Sequence, residues 1–171
     1  VGIVTIKAIA VKNVETSNVV TESVTVNPVA NTVADYNALD LGTIVRFGCP
    51  LRISYANKQH IFAQDADGNG IFMYSMNGIG AAANGKVIPE NKLIGKVASY
   101  NSNKQLNFTD YTLPALTDGD AINPITVQLG ALNDSYLYKY VMIPDVTLET
   151  GTLPEYYNVN GKLNFLVNEY D

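Results

Sequence analysis

The stretch Ile61-Phe-Ala-Gln-Asp65-Ala-Asp-Gly-Asn-Gly70-Ile-Phe-Met-Tyr74 decides the fold class. Its two ends, Ile61–Gln64 and Ile71–Tyr74, are short apolar runs rich in aromatic and β-branched residues, too brief for a helix. The centre is a cluster of Asp, Gly and Asn, residues that bond their own backbone or accept a positive φ. Strand, turn and strand together predict a hairpin. Alternation puts Ile61 and Ala63 on one face and Phe62 and Gln64 on the other.

The same signal recurs outward. Thr43–Phe47 and Leu51–Tyr55 read as strands, broken at Gly48-Cys49-Pro50, where proline forbids continuous pairing. Lys92–Tyr100 and Gln105–Thr109 form a second hairpin across 101–104. Asn77–Lys86 is a small, glycine-rich loop, and Leu113–Asp120 is linker-like. Further strands are expected at Ile3–Val11 and Val19–Val26, joined by the turn Asn13–Asn18, and at Thr126–Leu132, Tyr138–Ile143, Val146–Glu149 and Gly161–Val167. Asn160-Gly161 marks a tight turn. The one helical candidate is Asn31–Leu41, helix or irregular, which Asn31 or Thr32 could cap. The fold class is all-β with little helix. Three segments are expected: 1–40, an N-terminal hairpin and connector; 41–112, the central unit; and 121–171, a β-rich C-terminal segment. Val26-Asn-Pro28 recurs as Ile122-Asn-Pro124, which would make the last segment the opening of a partial second repeat.

Composition narrows the function classes. The chain has 171 residues, 47% hydrophobic and 16% charged, enough to bury a core and too apolar for disorder. No run approaches the roughly 18–20 apolar residues of a membrane helix. The net charge of −5 disfavours non-specific phosphate binding. A single cysteine, Cys49, excludes an internal disulfide and multi-cysteine zinc sites, and a single histidine, His60, starves any triad or histidine-based metal site. No enzyme and no cofactor is expected. The first residue is Val1 rather than Met, so any targeting segment or lipid anchor would lie upstream.

One series of motifs resembles a known family. Leu41-Gly-Thr43 with Val45-Arg-Phe47, then Ile61-Phe-Ala-Gln-Asp65-Ala-Asp-Gly68 with Ile71-Phe-Met-Tyr74, then Lys86-Val-Ile88 with Leu93-Ile-Gly-Lys-Val97, is similar to the OB-fold-like modules of Bacteroidetes surface and secreted lipoproteins. Those modules are often described, by fold, as nucleic-acid-binding. The resemblance covers roughly 41–112 and departs at Gly85-Lys86, where an acidic residue usually follows the glycine. It implies a five-stranded Greek-key barrel at the centre and a cell-envelope address, surface or periplasmic. It transfers no catalytic residue.

Candidate binding residues follow from chemistry that such a barrel uses. Arg46, Arg52 and Lys58 with Tyr55, Tyr74 and Tyr100 could form an aromatic platform with a cationic rim. Phe47, Phe62 and Phe72 are assigned to the core. Tyr136, Tyr138 and Tyr140 alternate, so on a strand all three rings share one face. Asp65, Asp67 and Asn69 match the opening of a calcium loop, but Met76 stands where its bidentate Glu belongs, and a plain turn is preferred. His60 is read as a solvated loop residue and Cys49 as a structural thiol. The expected function is non-catalytic binding of an extended glycan or a partner protein. Single-stranded nucleic acid is the alternative, and a structural spacer in a surface assembly is a further one.

Overall fold

A computed structural model describes residues 2–144 and the backbone of two further strands, Tyr156–Val159 and Leu163–Leu166. The strand expected at Val146–Glu149 and the Asn160-Gly161 turn lie outside the described residues. Among the described residues no helix is long and apolar enough to cross a membrane.

The chain opens as an antiparallel ribbon of β1 (Gly2–Ala8) and β4 (Val20–Val26), with a small hairpin of β2 (Val11–Lys12) and β3 (Glu15–Thr16) between them. Next come β5 (Val29–Ala30), α1 (Val33–Asn37), β6 (Ile44–Phe47), β7 (Leu51–Asn57), β8 (His60–Gln64) and β9 (Gly70–Tyr74). After these follow β10 (Lys86–Ile88), β11 (Ile94–Tyr100), β12 (Asn103–Asn107) and β13 (Thr117–Asp118). The strands β5 to β13 form one nine-stranded sheet in the order β13-β10-β7-β8-β9-β12-β11-β6-β5. Its pairs are antiparallel except β9 with β12 and β5 with β6.

This order forces the sheet to curl. β6 and β7 lie five strand spacings apart, a span of about 24 Å if flat. Only 48–50 joins them, and Phe47 to Leu51 reaches at most about 14 Å. The sheet therefore wraps around its own inner face, a curled half-barrel, with the Gly48-Cys49-Pro50 break as the corner. The inner face is the core: Val45, Phe47, Leu51, Ile53, Ile61, Ala63, Ile71, Met73, Val97 and Leu106 are buried.

One open end is plugged by α1, and two devices fix it there. Thr32 and Asp35 make a capping box, with the Thr32 hydroxyl accepting from the Asp35 amide at 3.0 Å. Asp65 reaches from the β8–β9 turn and accepts from the Val33 amide at 2.8 Å. At the other end of the helix, Lys104 donates to the carbonyls of Asn37 (2.8 Å) and Leu39 (2.6 Å). Val33 and Tyr36 are thereby pressed into the core, and the Tyr36 ring sits 5.6 Å from that of Phe47.

After the sheet, β14 (Ile125–Thr126) and β15 (Val141–Met142) pair in parallel, with 3-10 turns at Leu129–Ala131 and Asp134–Tyr136 between them. β16 (Tyr156–Val159) and β17 (Leu163–Leu166) form an antiparallel pair.

The all-β class holds, with several local corrections. The run expected as strand at Thr126–Leu132 turns helical at Leu129, and only Val141–Met142 of Tyr138–Ile143 is strand. Asn133 caps the second 3-10 turn by accepting from the Ser135 amide, and Tyr138 takes a positive φ of 61°. The expected tyrosine stripe of 136, 138 and 140 therefore does not form. The linker-like Leu113–Asp120 contributes β13, which pairs with β10 and joins Lys86 to Asp118 in an exposed ion pair. His60 is the first residue of β8 rather than a loop residue.

Candidate functional site

Phe62 and Phe72 face outward, not into the core as expected. Their neighbours Ile61, Ala63, Ile71 and Met73 take the inner positions, so the pleat sends the two phenylalanines to the opposite face. They stand opposite each other across β8 and β9 and stack at 5.0 Å between ring centroids. One step along the same face, His60 pairs with Tyr74, their rings 5.7 Å apart, and His60 also lies 5.5 Å from Phe72.

Tyr55 joins this cluster through a β-bulge. The register runs Ile53 to Ala63 and then Tyr55 to Phe62, leaving Ser54 as the extra residue of β7. Strict alternation would put Tyr55 inside with Ile53; the bulge turns it outward, 6.1 Å from the Phe62 ring. The buried Ser54 hydroxyl donates to the Phe62 carbonyl at 3.1 Å, which satisfies it at the irregularity. Tyr55, Phe62 and Phe72 thus form one row across three strands, with His60 and Tyr74 as a second row beside it. All five are half-buried.

The cluster gains a sixth ring from far along the chain. Tyr138 lies 6.3 Å from Phe62 and 5.8 Å from Phe72. Its backbone rests directly on Gly70, where an added Cβ would stand 2.5 Å from the Tyr138 carbonyl carbon. Gly70 is therefore a docking point: only a residue without a side chain admits the 137–138 backbone there. Burial pushes the Tyr138 hydroxyl's pKa up. Beside it opens a shallow groove of about 320 Å³ whose lining includes Asn37, Lys104, Asp134, Gly70 and Tyr138.

Of the candidate binding residues, Tyr55 and Tyr74 share this cluster. Lys58 is exposed in the β7–β8 turn at a positive φ of 52°, close in sequence to Tyr55 and His60. Arg52 is on β7, and its guanidinium donates to the Asp120 carbonyl at 3.0 Å. Arg46 sits on β6, beyond the Gly48–Pro50 corner, between β5 and β11. Tyr100 ends β11 and is 67% exposed, opposite Asn103. The proposed cationic rim is therefore spread around the sheet instead of gathered at the rings.

Asp65 has a structural occupation. One carboxylate oxygen accepts from the Val33 amide, and the other from the Asn69 amide at 2.9 Å. Gln64, also buried, donates to the Gly68 carbonyl at 3.1 Å. The Gln64-Asp65 pair with Gly68 thus builds the turn and anchors α1. Asp67 is exposed on that turn, and among the described residues no three acidic, His or Cys side chains converge on one point. Cys49 is half-buried at the corner, where burial, and then the charge of Asp65, raises its thiol pKa; that disfavours the reactive thiolate.

Sequence reasoning missed Phe62 and Phe72 as surface groups, although the alternation of Ile61 with Ala63 and Ile71 with Met73 carries that signal, and it read His60 as solvated without placing it beside the rings. Tyr138 carries none, because it is brought in by tertiary packing. No known family, curated protein or solved structure matches the chain.

Proposed function

We propose that the chain is a non-catalytic binding module of OB type, whose ligand is an extended polymer, a glycan first, held against the outer face of β7, β8 and β9. The observation that carries this reading is the two-row aromatic surface of Tyr55, Phe62, Phe72, His60 and Tyr74. Aromatic faces present polarisable C–H-binding surface to sugar rings, and the hydroxyl and imidazole edges add hydrogen bonds. The adjoining groove has the polar residues Asn37 and Asp134 in its lining, which suit a polyol.

The OB assignment rests on strand order. Taking β6 and β7 as one strand bent at 48–50, the central path is 1-2-3-5-4 and back to 1, and the third and fifth strands pair in parallel. Strands 2 and 3 and their neighbour form the face that such barrels use for oligosaccharides and oligonucleotides. The lipoprotein and cell-envelope address is part of the same proposal and rests on the sequence resemblance.

Glycan is favoured over single-stranded nucleic acid because the phosphate-binding cations are not assembled. Arg46 lies around the corner and Arg52 is engaged with Asp120, while Lys58 is exposed in the β7–β8 turn, two residues before His60. The test is affinity electrophoresis through gels containing acidic and neutral polysaccharides, in parallel with anisotropy of labelled oligo-thymidine. A glycan module is retarded, loses at least tenfold in affinity in Tyr74→Ala/Tyr55→Ala, and responds little to salt. Oligo-thymidine binding that weakens steeply with salt and vanishes in Arg46→Ala/Arg52→Ala would replace this reading with the nucleic-acid one.

A further inference from the structure

Two stretches of the chain follow the same order of elements. In the first, the β1–β4 ribbon leads through Asn27-Pro28 to β5, α1 and β6, with β5 and β6 parallel. In the second, the β11–β12 hairpin is followed, after β13, by Asn123-Pro124, then β14, two 3-10 turns and β15, with β14 and β15 parallel. A shift of 96 carries the start of β5 onto β14 (29 to 125) and the start of β8 onto β16 (60 to 156). In addition, Gly2 and Val4 of β1 match Gly95 and Val97 of β11 at a shift of 93, with Ile3 in place of Lys96. The tripeptide repeat in the sequence is thus matched by a repeat of topology.

In the complete unit, the β11–β12 hairpin closes the sheet. β11 pairs with β6, β12 pairs with β9, and its inward side chains Val97 and Leu106 are 0–1% exposed. The β1–β4 ribbon is built the same way. Its register puts Val4, Ile6, Ala8, Val20, Val24 and Val26 on one face, interrupted only by Glu22. Thr5, Lys7, Thr21, Ser23 and Thr25 take the other face, with Ile3. Yet Val4, Ile6, Val20, Val24 and Val26 are 45–58% exposed, and among the described residues β1 and β4 pair only with each other. It has the build of a closing hairpin, and among the described residues it closes no sheet. Conversely, β14 with β15, and β16 with β17, have the place of opening elements and pair with no further strand among the described residues.

We infer that the apolar face of the β1–β4 ribbon docks on the β14–β17 elements of a second copy of this chain, so that copies join head to tail. Among the described residues the ribbon's apolar face is left open, and the elements that its place in the topology calls for, β14 to β17, are carried by a second copy at its other end. A contact between two different surfaces of identical chains does not close on itself after two copies, and it extends as a row unless the rotation makes a ring. Each junction completes one further curled sheet, with the exposed valines and isoleucine as its inner layer.

Light scattering on the full chain in reductant, from low micromolar to near-millimolar concentration, tests this. The weight-average mass should rise from 18.5 kDa to at least twice that value. Val4→Asp/Val24→Asp, which charges the apolar face at exposed positions, should stay at the monomer mass with unchanged circular dichroism. Asn158→Pro/Asn164→Pro, which breaks the β16–β17 pair, should do the same. Mixed together, these two variants should form a dimer and nothing larger, because each retains one intact end. Thr5→Asp/Ser23→Asp on the polar face should assemble like the parent. A parent that stays monomeric throughout overturns the inference. So does self-association of the proline variant, which would mean ribbon meeting ribbon, or failure of the mixture to pair.

Discussion

In the β8–β9 hairpin, Ile61, Ala63, Ile71 and Met73 are 0–1% exposed; in the β1–β4 ribbon, Val4, Ile6, Val20 and Val24 are 45–58% exposed. Both elements are antiparallel, and in both the pleat gathers aliphatic side chains on one face, Ile61, Ala63, Ile71 and Met73 in the first and Val4, Ile6, Val20 and Val24 in the second. What separates them is the neighbour. β8 and β9 lie inside a sheet whose three-residue corner forces it to curl, so each inward face meets the others. The ribbon has no second layer among the described residues. Alternation therefore reports that a face is fit for burial, while topology determines whether it is buried.

The sharpest way to break that comparison is to make the same substitution in both places. Ile61→Ala removes a fully buried side chain and should cost about 2–5 kcal/mol, from lost transfer energy plus the cavity left behind. Ile6→Ala, at a residue 53% exposed, should shift stability by no more than about 0.5 kcal/mol when measured at concentrations where the chain is monomeric. Urea denaturation of the two variants gives the difference directly. Equal losses would mean that the ribbon is packed in solution.

Much of the central unit was legible because its signals are local. The hairpin at 61–74, the break at Gly48-Cys49-Pro50 and the cap at Thr32 each follow from residues within a few positions of one another. The failures have a common cause. Tyr55 reaches the outer face only through the bulge at Ser54, and no spacing rule marks a bulge in a run such as Leu51–Asn57. Tyr136, Tyr138 and Tyr140 alternate like a strand, but Asn133 offers the backbone a capped turn, and the cluster's Gly70 offers Tyr138 a seat. Tertiary partners overrode the local pattern. Of the five rings of the candidate surface, Tyr55 and Tyr74 were named in advance for their polar tips. Phe62 and Phe72 were assigned inward because phenylalanine is usually buried, although the pleat had already placed them, and His60 was read as a loop residue.

The Asp65 anchor sharpens the contrast at the next level, since among the described residues the ribbon has no comparable tie to the rest of the fold. Asp65→Ala strips acceptors from the Val33 and Asn69 amides, and a buried donor left without a partner costs about 1–3 kcal/mol. The loss should be local in origin: hydrogen exchange at Val33, Tyr36 and Asn69 should accelerate before that in β8 and β9. A variant as stable as the parent would mean that α1 is held by Thr32 and Lys104 alone.

Gly70→Ala probes the seat of Tyr138. The new methyl group cannot coexist with the 137–138 backbone, so that segment must lift, at a cost of about 1–3 kcal/mol for the overpacked site. With the segment displaced, the raised pKa of Tyr138 should fall toward that of a free phenol, and Phe62 and Phe72 should become accessible. A glycan ligand that competes with Tyr138 for these rings would then bind the variant more tightly than the parent. Weaker binding would instead mean that Tyr138 is part of the binding surface.

The smallest effect at neutral pH is expected at Tyr36, and it is the most specific in pH. Tyr36, on α1 against Phe47, is 2% exposed, and among the described residues its hydroxyl has no hydrogen-bond partner. Burial, and then the proximity of Tyr138, raises its pKa far above the ordinary value near 10. A folded pKa above the unfolded one means that the unfolded chain loses its proton first as pH rises. The stabilising contribution is thus fully present below about pH 10 and is lost above it, at a limiting slope of about 1.4 kcal/mol per pH unit for one group. Tyr36→Phe removes both the unpaired hydroxyl and the titration. At pH 7 it should be neutral or stabilising by up to about 1 kcal/mol. Between pH 10 and 12 its stability should fall with a slope smaller by one proton than the parent's. The same slope in both proteins would mean that the Tyr36 hydroxyl reaches solvent in the folded state, and that the α1 plug over the curled sheet opens.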